Sequence, residues 1–387
     1  MKILQLTSHF SPNVGGVETH LDNLVRALVA RENSVFVLTY RPLITKAKWK
    51  MYESRKDLRI LRIPWFSGFF YEFVKTPILE FLYLLPGLFL ATPLILFLES
   101  PDVIHTHGLI AGFLGVFWGK LFGKKTISTT HSIYHFPKNG MYTKFAKWIF
   151  ANSHHVLTLS KQSKSEIANL GIPSDKITIF TYWVDLEKFK EVNGAKLDHL
   201  EGGPGSHLAA KRKIRKSFVV LFVGRLIEEK GILVLLEASR KWSKNITLVI
   251  IGTGPLESRI KNLEFRIKNL KYLGKIENNK LPDYYSAADV TIVPSIHEEG
   301  FGRVILESLA CGTPVIGSNR GAIPEAMDDS VGMLIDVTPE NIKKSVEFFY
   351  KNPGRLVELS KNARKFAKNK YSSKNISAII NVYSSKD

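Results

Sequence analysis

Short runs of apolar residues alternate with segments of helical periodicity along most of this chain. Strands that alternate with helices indicate a parallel sheet with both faces covered, so the predicted fold class is α/β. The predicted strands are Ile3–Thr7, Ser34–Tyr40, Val103–His107, Thr126–His131, Val156–Ser160, Ile177–Thr181, Val219–Val223, Thr247–Ile251, Val290–Val293 and Val315–Ile316.

The alternation is interrupted once, which indicates two domains. A chain of 387 residues is also long for a single core. Between residues 186 and 216 the glycine-rich Gly202–Gly205 and the basic Lys211–Lys216 indicate a linker or surface loop. We therefore predict Rossmann-like domains at residues 1–185 and 217–370. The tail, residues 371–387, is predicted to be a helix that packs back on the first domain.

The charge of the chain indicates an anionic partner. It contains 54 Lys and Arg against 35 Asp and Glu, a net charge of +19. Such an excess fits nucleic acid, an acidic membrane surface or phosphorylated substrates. No nucleic-acid recognition motif is present, so we expect no nucleic-acid partner. The single cysteine, Cys311, excludes a disulfide framework and a cysteine-rich zinc site.

One apolar segment, residues 77–98, is long enough to cross a bilayer. It also contains Glu80, Pro86 and Pro93, which leaves three alternatives: a buried helix pair, an interfacial segment or a true span. Basic residues between Arg41 and Arg62 precede it, followed by an aromatic stretch, residues 65–71. This combination fits a protein lying on an anionic leaflet, and the strand-like start argues against a signal peptide. The expected location is cytoplasmic, on the inner face of a membrane.

The strongest functional signal is Glu299-Gly-Phe-Gly-Arg-Val-Ile-Leu-Glu307, which follows a predicted strand and enters a predicted helix. Ligands of α/β proteins bind at such corners. A helix that begins near Gly302 offers free backbone N–H groups to an anion, and each glutamate can accept two hydrogen bonds from a diol. The pattern fits a diphosphate with a polyol on either side, as in a sugar nucleotide. An isolated glutamate pair would more often be solvated helix charge.

Other cations and glycines occupy equivalent corners. Arg225 and Lys230 follow the strand Val219–Val223 and could neutralise a diphosphate while its bond to a sugar breaks. Two glycine turns also follow strands and precede helices. They are Gly15-Gly16, which could pass an N–H to phosphate, and Gly252-Thr-Gly254, a weaker signal without the third glycine of a dinucleotide fingerprint.

Three histidines lie on two consecutive predicted strands, of which His107 ends the first. His105 and His107 share a face, and His131 ends the next strand. A histidine there is commonly a packing or hydrogen-bonding residue. No carboxylate or cysteine lies at zinc-ligand spacing, so we predict no metal site.

Together these motifs resemble the retaining nucleotide-sugar glycosyltransferases of family 4, the group 1 glycosyl transferases. The resemblance extends over nearly the whole chain and is most specific in residues 290–316 and 321–325. It implies a GT-B fold, in which two Rossmann-like domains face each other across a cleft. The first domain would be on the acceptor side, and the second would bind the nucleotide sugar. The resemblance also implies that no divalent metal is needed.

The resemblance implies a role for each motif residue. Glu299 would contact the donor sugar, Glu307 the ribose, and Arg225 and Lys230 the diphosphate. His107 would touch the donor sugar near the reaction centre. Backbone groups of the helix entrance would bind the phosphates: Gly300, Phe301, Gly302 and Arg303.

Several points stay open. Tyr182-Trp183 stands where the family often has Asn-Gly, which puts acceptor details in doubt. The favoured function is transfer of a hexose or N-acetylhexosamine from a UDP- or GDP-sugar to a lipid-linked or phospholipid acceptor. The alternatives are a soluble sucrose-, trehalose- or glycogen-type transferase and a non-catalytic sugar-nucleotide-binding subunit.

Overall fold

The chain forms two compact units. The computed structural model describes residues 1–13, 15–67, 73, 76–137, 140–192 and 217–385. The first unit comprises Met1–Tyr182 and Lys374–Asp387, and the second comprises Trp183–Ser373. Of the predicted linker, residues 193–216 lie outside the described residues, and with them the basic run 211–216. Part of the predicted aromatic stretch, residues 68–71, lies outside them as well.

The first unit is an eight-stranded sheet with helices. Its strands are β1 Lys2–Thr7, β2 Ser34–Tyr40, β3 Tyr52–Arg55, β4 Leu58–Ile63, β5 Val103–His107, β6 Lys125–Thr129, β7 His155–Thr158 and β8 Ile177–Ile179. Its helices are α1 Gly16–Val29, α2 Pro77–Glu99, α3 Leu109–Leu121, α4 Met141–Asn152 and α5 Lys161–Asn169, with one more at the end of the chain.

The strand order of the first sheet is β3-β4-β2-β1-β5-β6-β7-β8. Every pair is parallel except the edge pair β3–β4. The chain builds outward from β1 in both directions, so the carboxyl ends of β1 and β5 flank the topological switch point. The prediction missed the β3–β4 hairpin, because its strands are short and rich in charge.

Helix α2 covers one face of this sheet. Its inner side chains, among them Leu84, Leu88 and Ile95, belong to the core cluster that also contains Tyr40. The Tyr40 hydroxyl donates to Leu84 O (2.7 Å) and accepts from Leu88 N (3.0 Å). A side chain thus inserts into the backbone ladder beside Pro86, where a proline already interrupts it. The segment is one helix, so of the three alternatives the helix pair is excluded.

The second unit is a six-stranded parallel sheet of order β11-β10-β9-β12-β13-β14. Its strands are β9 Phe218–Val223, β10 Ile246–Ile251, β11 Leu270–Tyr272, β12 Val290–Val293, β13 Val315–Ser318 and β14 Gly332–Ile335. Its helices are α6 Ile232–Ser239, α7 Glu257–Glu264, α8 Leu281–Ala287, α9 Arg303–Ala310, α10 Ile323–Ala326, α11 Pro339–Lys351 and α12 Pro353–Lys370. Strand β12 is buried along its whole length, and β10 is buried at every residue except the half-buried Thr247, which explains their apolar runs.

The last helix, α13 Ile376–Ser384, belongs to the first unit although α12 belongs to the second. Its side chains Ile376, Ile379, Val382 and Tyr383 are buried. Three strands were predicted two residues too long at their carboxyl ends: β6 ends at Thr129, β7 at Thr158 and β8 at Ile179. His131 therefore lies two residues beyond β6.

Candidate functional site

The strand order of the second sheet brings together the two strongest motifs. Strands β9 and β12 are neighbours, and the chain builds outward from them in opposite directions. Their carboxyl ends therefore flank a switch point, where α/β proteins bind ligands. Residues Gly224 and Arg225 follow β9, and the loop with Glu299 follows β12.

Glu299 and Lys230 form an ion pair at this edge of the sheet. Lys230 Nζ donates to Glu299 Oε1, as does the Ser295 hydroxyl. The Glu299 and Lys230 side chains are 11% and 22% exposed, so both are largely shielded from water. Burial would raise the pKa of the Glu299 carboxyl, but Lys230 and the two hydrogen bonds outweigh burial and lower it. Glu299 is therefore a carboxylate that accepts hydrogen bonds.

The two loops that carry this pair are joined by their backbones. Ile296 N donates to Glu229 O at 3.0 Å. Gly231 follows Lys230 at φ 68°, and a Cβ there would overlap the carbonyl oxygen of Pro294. Only glycine fits both this left-handed conformation and this close approach. Gly231 therefore keeps Lys230 against the Glu299 loop.

The entrance of α9 follows directly. Gly302 is the N-cap at φ 73° and ψ 69°, with no side-chain cap. The first N–H groups of a helix have no intrahelical acceptor, so Arg303 and Val304 present N–H groups here. Phe301 is buried and packs edge-on against Tyr371, with ring centroids 6.0 Å apart. The helix entrance thus offers free backbone N–H groups after Gly302, and phosphate binding by residues 300–303 stays a prediction.

Glu307 lies on the buried side of α9. The Tyr285 hydroxyl donates to Glu307 Oε2 at 3.0 Å, and Arg303 Nε lies 3.4 Å from Glu307 Oε1. The Glu307 and Arg303 side chains are 6% and 7% exposed. Burial, followed by the adjacent Glu307 charge, holds the pKa of Tyr285 well above its usual range, so Tyr285 remains a donor. The second glutamate is therefore held in one orientation.

The remaining predicted donor-site residues are placed differently. Arg225 is exposed and forms no ion pair with any residue that the structure describes. The Gly252 N–H is already used, since it donates to Gly274 O at 2.8 Å. Leu226 N donates to Thr253 O at 2.9 Å, so the Gly252–Gly254 turn is fastened to the segment that follows Arg225. These hydrogen bonds hold the Gly252–Gly254 turn next to Arg225, so the turn supports the loop that carries Arg225.

The first unit gathers its predicted histidines at its own switch point. His107 Nε2 lies 2.7 Å from Gln5 Oε1, and His107 Nδ1 lies 3.0 Å from His131 Nε2. Burial, and then the other histidines, hold the pKa of His107 well below its usual range. Burial lowers the pKa of His105 and of His131 to about 3. All three rings are therefore neutral at physiological pH.

The Gly15-Gly16 turn opens α1 as predicted, with Gly15 at its N-cap. A Cβ at Gly15 would overlap the carboxylate of Glu18, which is buried in the first turn of α1. A carboxylate near a helix N-terminus is favourable. Phosphate binding at this turn stays a prediction, and it requires the Glu18 carboxylate to move.

Several residues of these sites were missed from the sequence. Ser295 and Tyr285 contact the two glutamates, and Gln5 and Tyr383 contact the histidines. Ser295 follows β12 after Pro294, so its place near a strand end was a usable signal. Tyr383 lies 278 residues from His105, and no local pattern indicates that contact.

Comparison with known proteins identifies two matching family models. Residues 14–188 match the model of glycosyltransferase family 4, and residues 207–366 match that of glycosyl transferases group 1. An uncharacterized glycosyltransferase of Methanocaldococcus jannaschii is 27% identical to this chain. The matched region covers 99% of this chain and 98% of that protein.

Two other matches are named for different substrates or products. The GPI3 subunit of phosphatidylinositol N-acetylglucosaminyltransferase from Saccharomyces cerevisiae is 24% identical, over 87% of this chain and 72% of that protein. Among solved structures, sucrose-phosphate synthase from Thermosynechococcus elongatus superposes with a TM-score of 0.80 and 21% identity, covering 98% of this chain and 96% of that one. At this identity the likeness shows the fold alone, the two-domain GT-B architecture.

Proposed function

Because the chain belongs to the group 1 glycosyl transferases of family 4, we propose that it transfers a hexose or N-acetylhexosamine from a nucleoside diphosphate sugar to a lipid acceptor at a membrane. The donor would bind at the switch point of the second unit. Its diphosphate would lie at the N–H groups of the α9 entrance, with the ribose hydroxyls on Glu307 and the sugar hydroxyls on Glu299. Uridine and guanosine carriers both fit these contacts.

The charges at Glu299 support its proposed role. An ionised carboxylate accepts hydrogen bonds from sugar hydroxyls and is a poor general acid. Lys230 is held beside it, so a donor that reaches both would place its diphosphate near the ammonium and its sugar near the carboxylate. Arg225, exposed after β9, supplies a second cation for the diphosphate.

We propose a retaining, front-face reaction. The bond from the sugar C1 to the diphosphate oxygen breaks, and the acceptor oxygen forms its bond to C1 on the same face. The acceptor hydroxyl gives its proton to the leaving phosphate oxygen, so a nucleoside diphosphate is released. Lys230, Arg225 and the helix N–H groups stabilise the charge that develops on the leaving group.

These cations are proposed to serve without a divalent metal. Saturating EDTA should leave turnover unchanged, and added Mg²⁺ should not raise it more than about twofold. An activity that disappears with EDTA and returns with one metal ion would show that the charge on the leaving group needs more than Lys230 and Arg225.

The main support for a lipid acceptor is the outer face of α2, the side turned away from the sheet. Six apolar side chains of this face are more than half exposed, with a four-residue spacing that places most of them in one row. They are Ile78 66%, Leu82 62%, Leu90 75%, Leu94 57%, Phe97 75% and Leu98 64%. A helix that is apolar on its solvent side as well as its core side is atypical of a soluble domain.

Neighbouring side chains extend the outer face of α2. Phe89 of α2 packs against Phe117 of α3 with ring centroids 5.7 Å apart, and Leu121 at the end of α3 is 69% exposed. Lys120 is exposed next to it. Apolar side chains bordered by lysine suit an anionic bilayer surface, and the net charge of +19 favours the same partner.

The inner face of α2 favours a helix that lies along the membrane. It is the one helix among the described residues long and apolar enough to cross a bilayer, and 39% of its most apolar window is buried. Its inner face packs on its own sheet, and Tyr40 and Trp65 donate to its carbonyl groups. A spanning orientation would remove these contacts, whereas a flat orientation buries the outer face and keeps them.

A soluble sugar acceptor is the alternative. The GPI3 relative favours a lipid acceptor because its name includes phosphatidylinositol, whereas sucrose-phosphate synthase shares the fold. The outer face of α2 favours the lipid acceptor.

The decisive experiment tests a panel of uridine and guanosine diphosphate sugars. Each donor is incubated with soluble sugars, or with anionic liposomes that carry a polyprenyl phosphate-linked acceptor or an inositol phospholipid. We expect transfer from one donor, dependent on lipid and lost in Glu299→Ala. Transfer to a soluble sugar without liposomes would support the alternative. Tight nucleotide binding without any transfer would indicate a binding subunit.

The membrane surface has its own test. Leu90→Glu with Leu94→Glu should abolish flotation with liposomes of anionic phospholipid, while circular dichroism and transfer to a detergent-solubilised acceptor stay unchanged. Phe265→Glu is the matched control, because Phe265 is 90% exposed in the second unit. Equal flotation of both variants would remove the outer face of α2 from the membrane contact. Dimer dissociation in the double variant alone would show that a second copy covers it.

A further inference from the structure

A continuous chain of hydrogen bonds surrounds His107 in the first unit. On one side, His107 Nε2 meets Gln5 Oε1, and Gln5 Nε2 donates to the Tyr383 hydroxyl at 3.2 Å. Tyr383 in turn lies 2.6 Å from His105 Nδ1, and His105 Nε2 lies 2.6 Å from Thr129 Oγ1. This half of the network joins β1, β5, β6 and the last helix of the chain.

The other half leads to the residue that departs from the family pattern. His107 Nδ1 meets His131 Nε2 at 3.0 Å, and His131 Nδ1 meets the Tyr182 hydroxyl at 2.7 Å. The Tyr182 ring stacks on His20 with centroids 4.2 Å apart. Asparagine, the common residue here in the family, has neither this reach nor a ring to stack.

The donors and acceptors in this chain select a tautomer. An amide oxygen can only accept, so His107 Nε2 carries the hydrogen and His107 Nδ1 accepts from His131 Nε2–H. His131 Nδ1 then accepts from the Tyr182 hydroxyl. On the other side, Gln5 Nε2–H donates to the Tyr383 oxygen, which leaves the Tyr383 hydrogen for His105 Nδ1. Each group has a partner with every ring uncharged.

Both ring nitrogens of His107 are therefore engaged by the protein. With both ring nitrogens engaged, a ligand at this place could contact only the carbon edge of the ring and the backbone at the end of β5. Proton transfer from a ring nitrogen would first require a partner to leave. Its contribution to the reaction then depends on where the ring is held, and the holding groups are Gln5, His131 and the tyrosines beyond them.

We propose that Tyr383 and Tyr182 are positioning residues that, through Gln5 and His131, hold His107 in the Nε2–H tautomer and in one orientation. This proposal rests on the proposed function only where it concerns turnover. Tyr383 is buried on α13, so the last helix completes the site of the first unit. Tyr182 forms the opposite end of the hydrogen-bond network, and this role accounts for a tyrosine at position 182.

Tyr383→Phe is the first test, because it removes one hydroxyl and keeps the ring. Gln5 and His105 each lose a partner, so the Gln5 amide no longer has a preferred orientation. We expect kcat to fall by about tenfold, with the donor KM changed less than twofold. Two-bond ¹H–¹⁵N spectra of histidine-labelled protein should change from one His107 tautomer to a mixture.

Tyr350→Phe is the control. The Tyr350 hydroxyl lies in the second unit and accepts a surface hydrogen bond from Asn245 Nδ2 at 3.1 Å. Its loss should leave kcat and the His107 spectrum unchanged. If both variants lose kcat equally and neither changes the tautomer, Tyr383 has a structural role only and the proposal is overturned.

Tyr182→Phe tests the other end independently, and it keeps the proposal testable if Tyr383→Phe does not fold. It preserves the stack on His20 and removes the hydroxyl donor to His131. The same loss of kcat and a changed His131 tautomer are expected. An Nδ1–H tautomer of His107 in the wild-type protein would overturn the assignment. Because the spectra need no substrate, a protein without transferase activity fails the proposed function and leaves this test intact.

Discussion

The two sheets place opposite kinds of chemistry at their switch points. In the second unit an ammonium and a carboxylate, Lys230 and Glu299, face each other directly. In the first unit three histidines are held uncharged by burial and by one another. The charged edge suits the ionic part of a substrate, the diphosphate. The neutral edge suits hydroxyl groups, whose recognition depends on fixed donors and acceptors and would be weakened by a mobile charge.

Removing the cation from the charged edge should have the largest effect. In Lys230→Ala we expect turnover to fall by about 10²- to 10³-fold, and more than acceptor binding weakens, because developing phosphate charge loses its nearest ammonium. Steady-state kinetics at saturating donor measure this. Lys261→Ala is the control, since Lys261 forms a more exposed pair with Glu257 in the same unit. Unchanged turnover in Lys230→Ala would refute the assignment of Lys230 to the diphosphate.

The next largest difference should appear in how the stability of the two units depends on pH. As pH falls below about 6.5, unfolded histidines take up protons, whereas His105 and His131 resist them down to a pKa of about 3. Stability of the first unit is therefore lost between these values, at about 1 kcal/mol per pH unit for each buried histidine.

The carboxylate of the charged edge behaves differently. Glu299 has a pKa below its ordinary value of 4.5 in the folded protein, so its contribution is complete above that pH and is lost as pH falls through the lower folded value. Denaturant titrations from pH 7 to pH 4 should show the first unit weakening earlier. In His135→Asn, which alters an exposed histidine, the slope should match the wild type. A flat pH dependence above pH 5 would show that the three rings are not buried and neutral.

A backbone substitution at the charged edge should have an effect of intermediate size. Gly231→Ala forces a Cβ into the Pro294 carbonyl at a left-handed φ, so we expect a loss of about 2–4 kcal/mol in the free energy of unfolding. Gly354→Ala is the control, because a Cβ there meets open space. Chemical denaturation measures both. Similar midpoints for the two variants would mean that the Lys230 loop does not need this close approach.

The smallest effect is expected at Glu307. Tyr285→Phe removes the hydroxyl that donates to Glu307 Oε2, so the carboxylate keeps its charge and loses one fixed orientation. We expect the donor KM to rise by about three- to tenfold, with kcat nearly unchanged. Tyr350→Phe, which loses only a bond to Asn245 at the surface, is the control. A fall in kcat without a change in KM would place Glu307 nearer the reacting bond than the ribose.

The predictability of these two edges differs for a physical reason. Strand ends and glycine turns are local, so the strand Val290–Val293 and the helix that begins after Gly302 were predicted correctly from the sequence. The partners of His107 come from β1 and the segment after β6, and those of His105 come from β6 and the last helix, so these contacts depend on tertiary packing. The β3–β4 hairpin was missed because its charged residues masked the alternation. The α2 segment was recognised as apolar from the sequence, but which of its sides faces the core could be seen only once its packing on the sheet was known.

The placement of α13 has a consequence for synthesis. The first unit needs residues 374–387, which are translated after the whole of the second unit, although its other residues precede Trp183. The second unit can therefore fold on the ribosome while the first still lacks its final helix. A premature stop near residue 373 would keep the contacts of Glu299 and Glu307 and remove Tyr383 from the histidines. Such a product would retain the charged edge of the second unit while the first unit lacked its last helix.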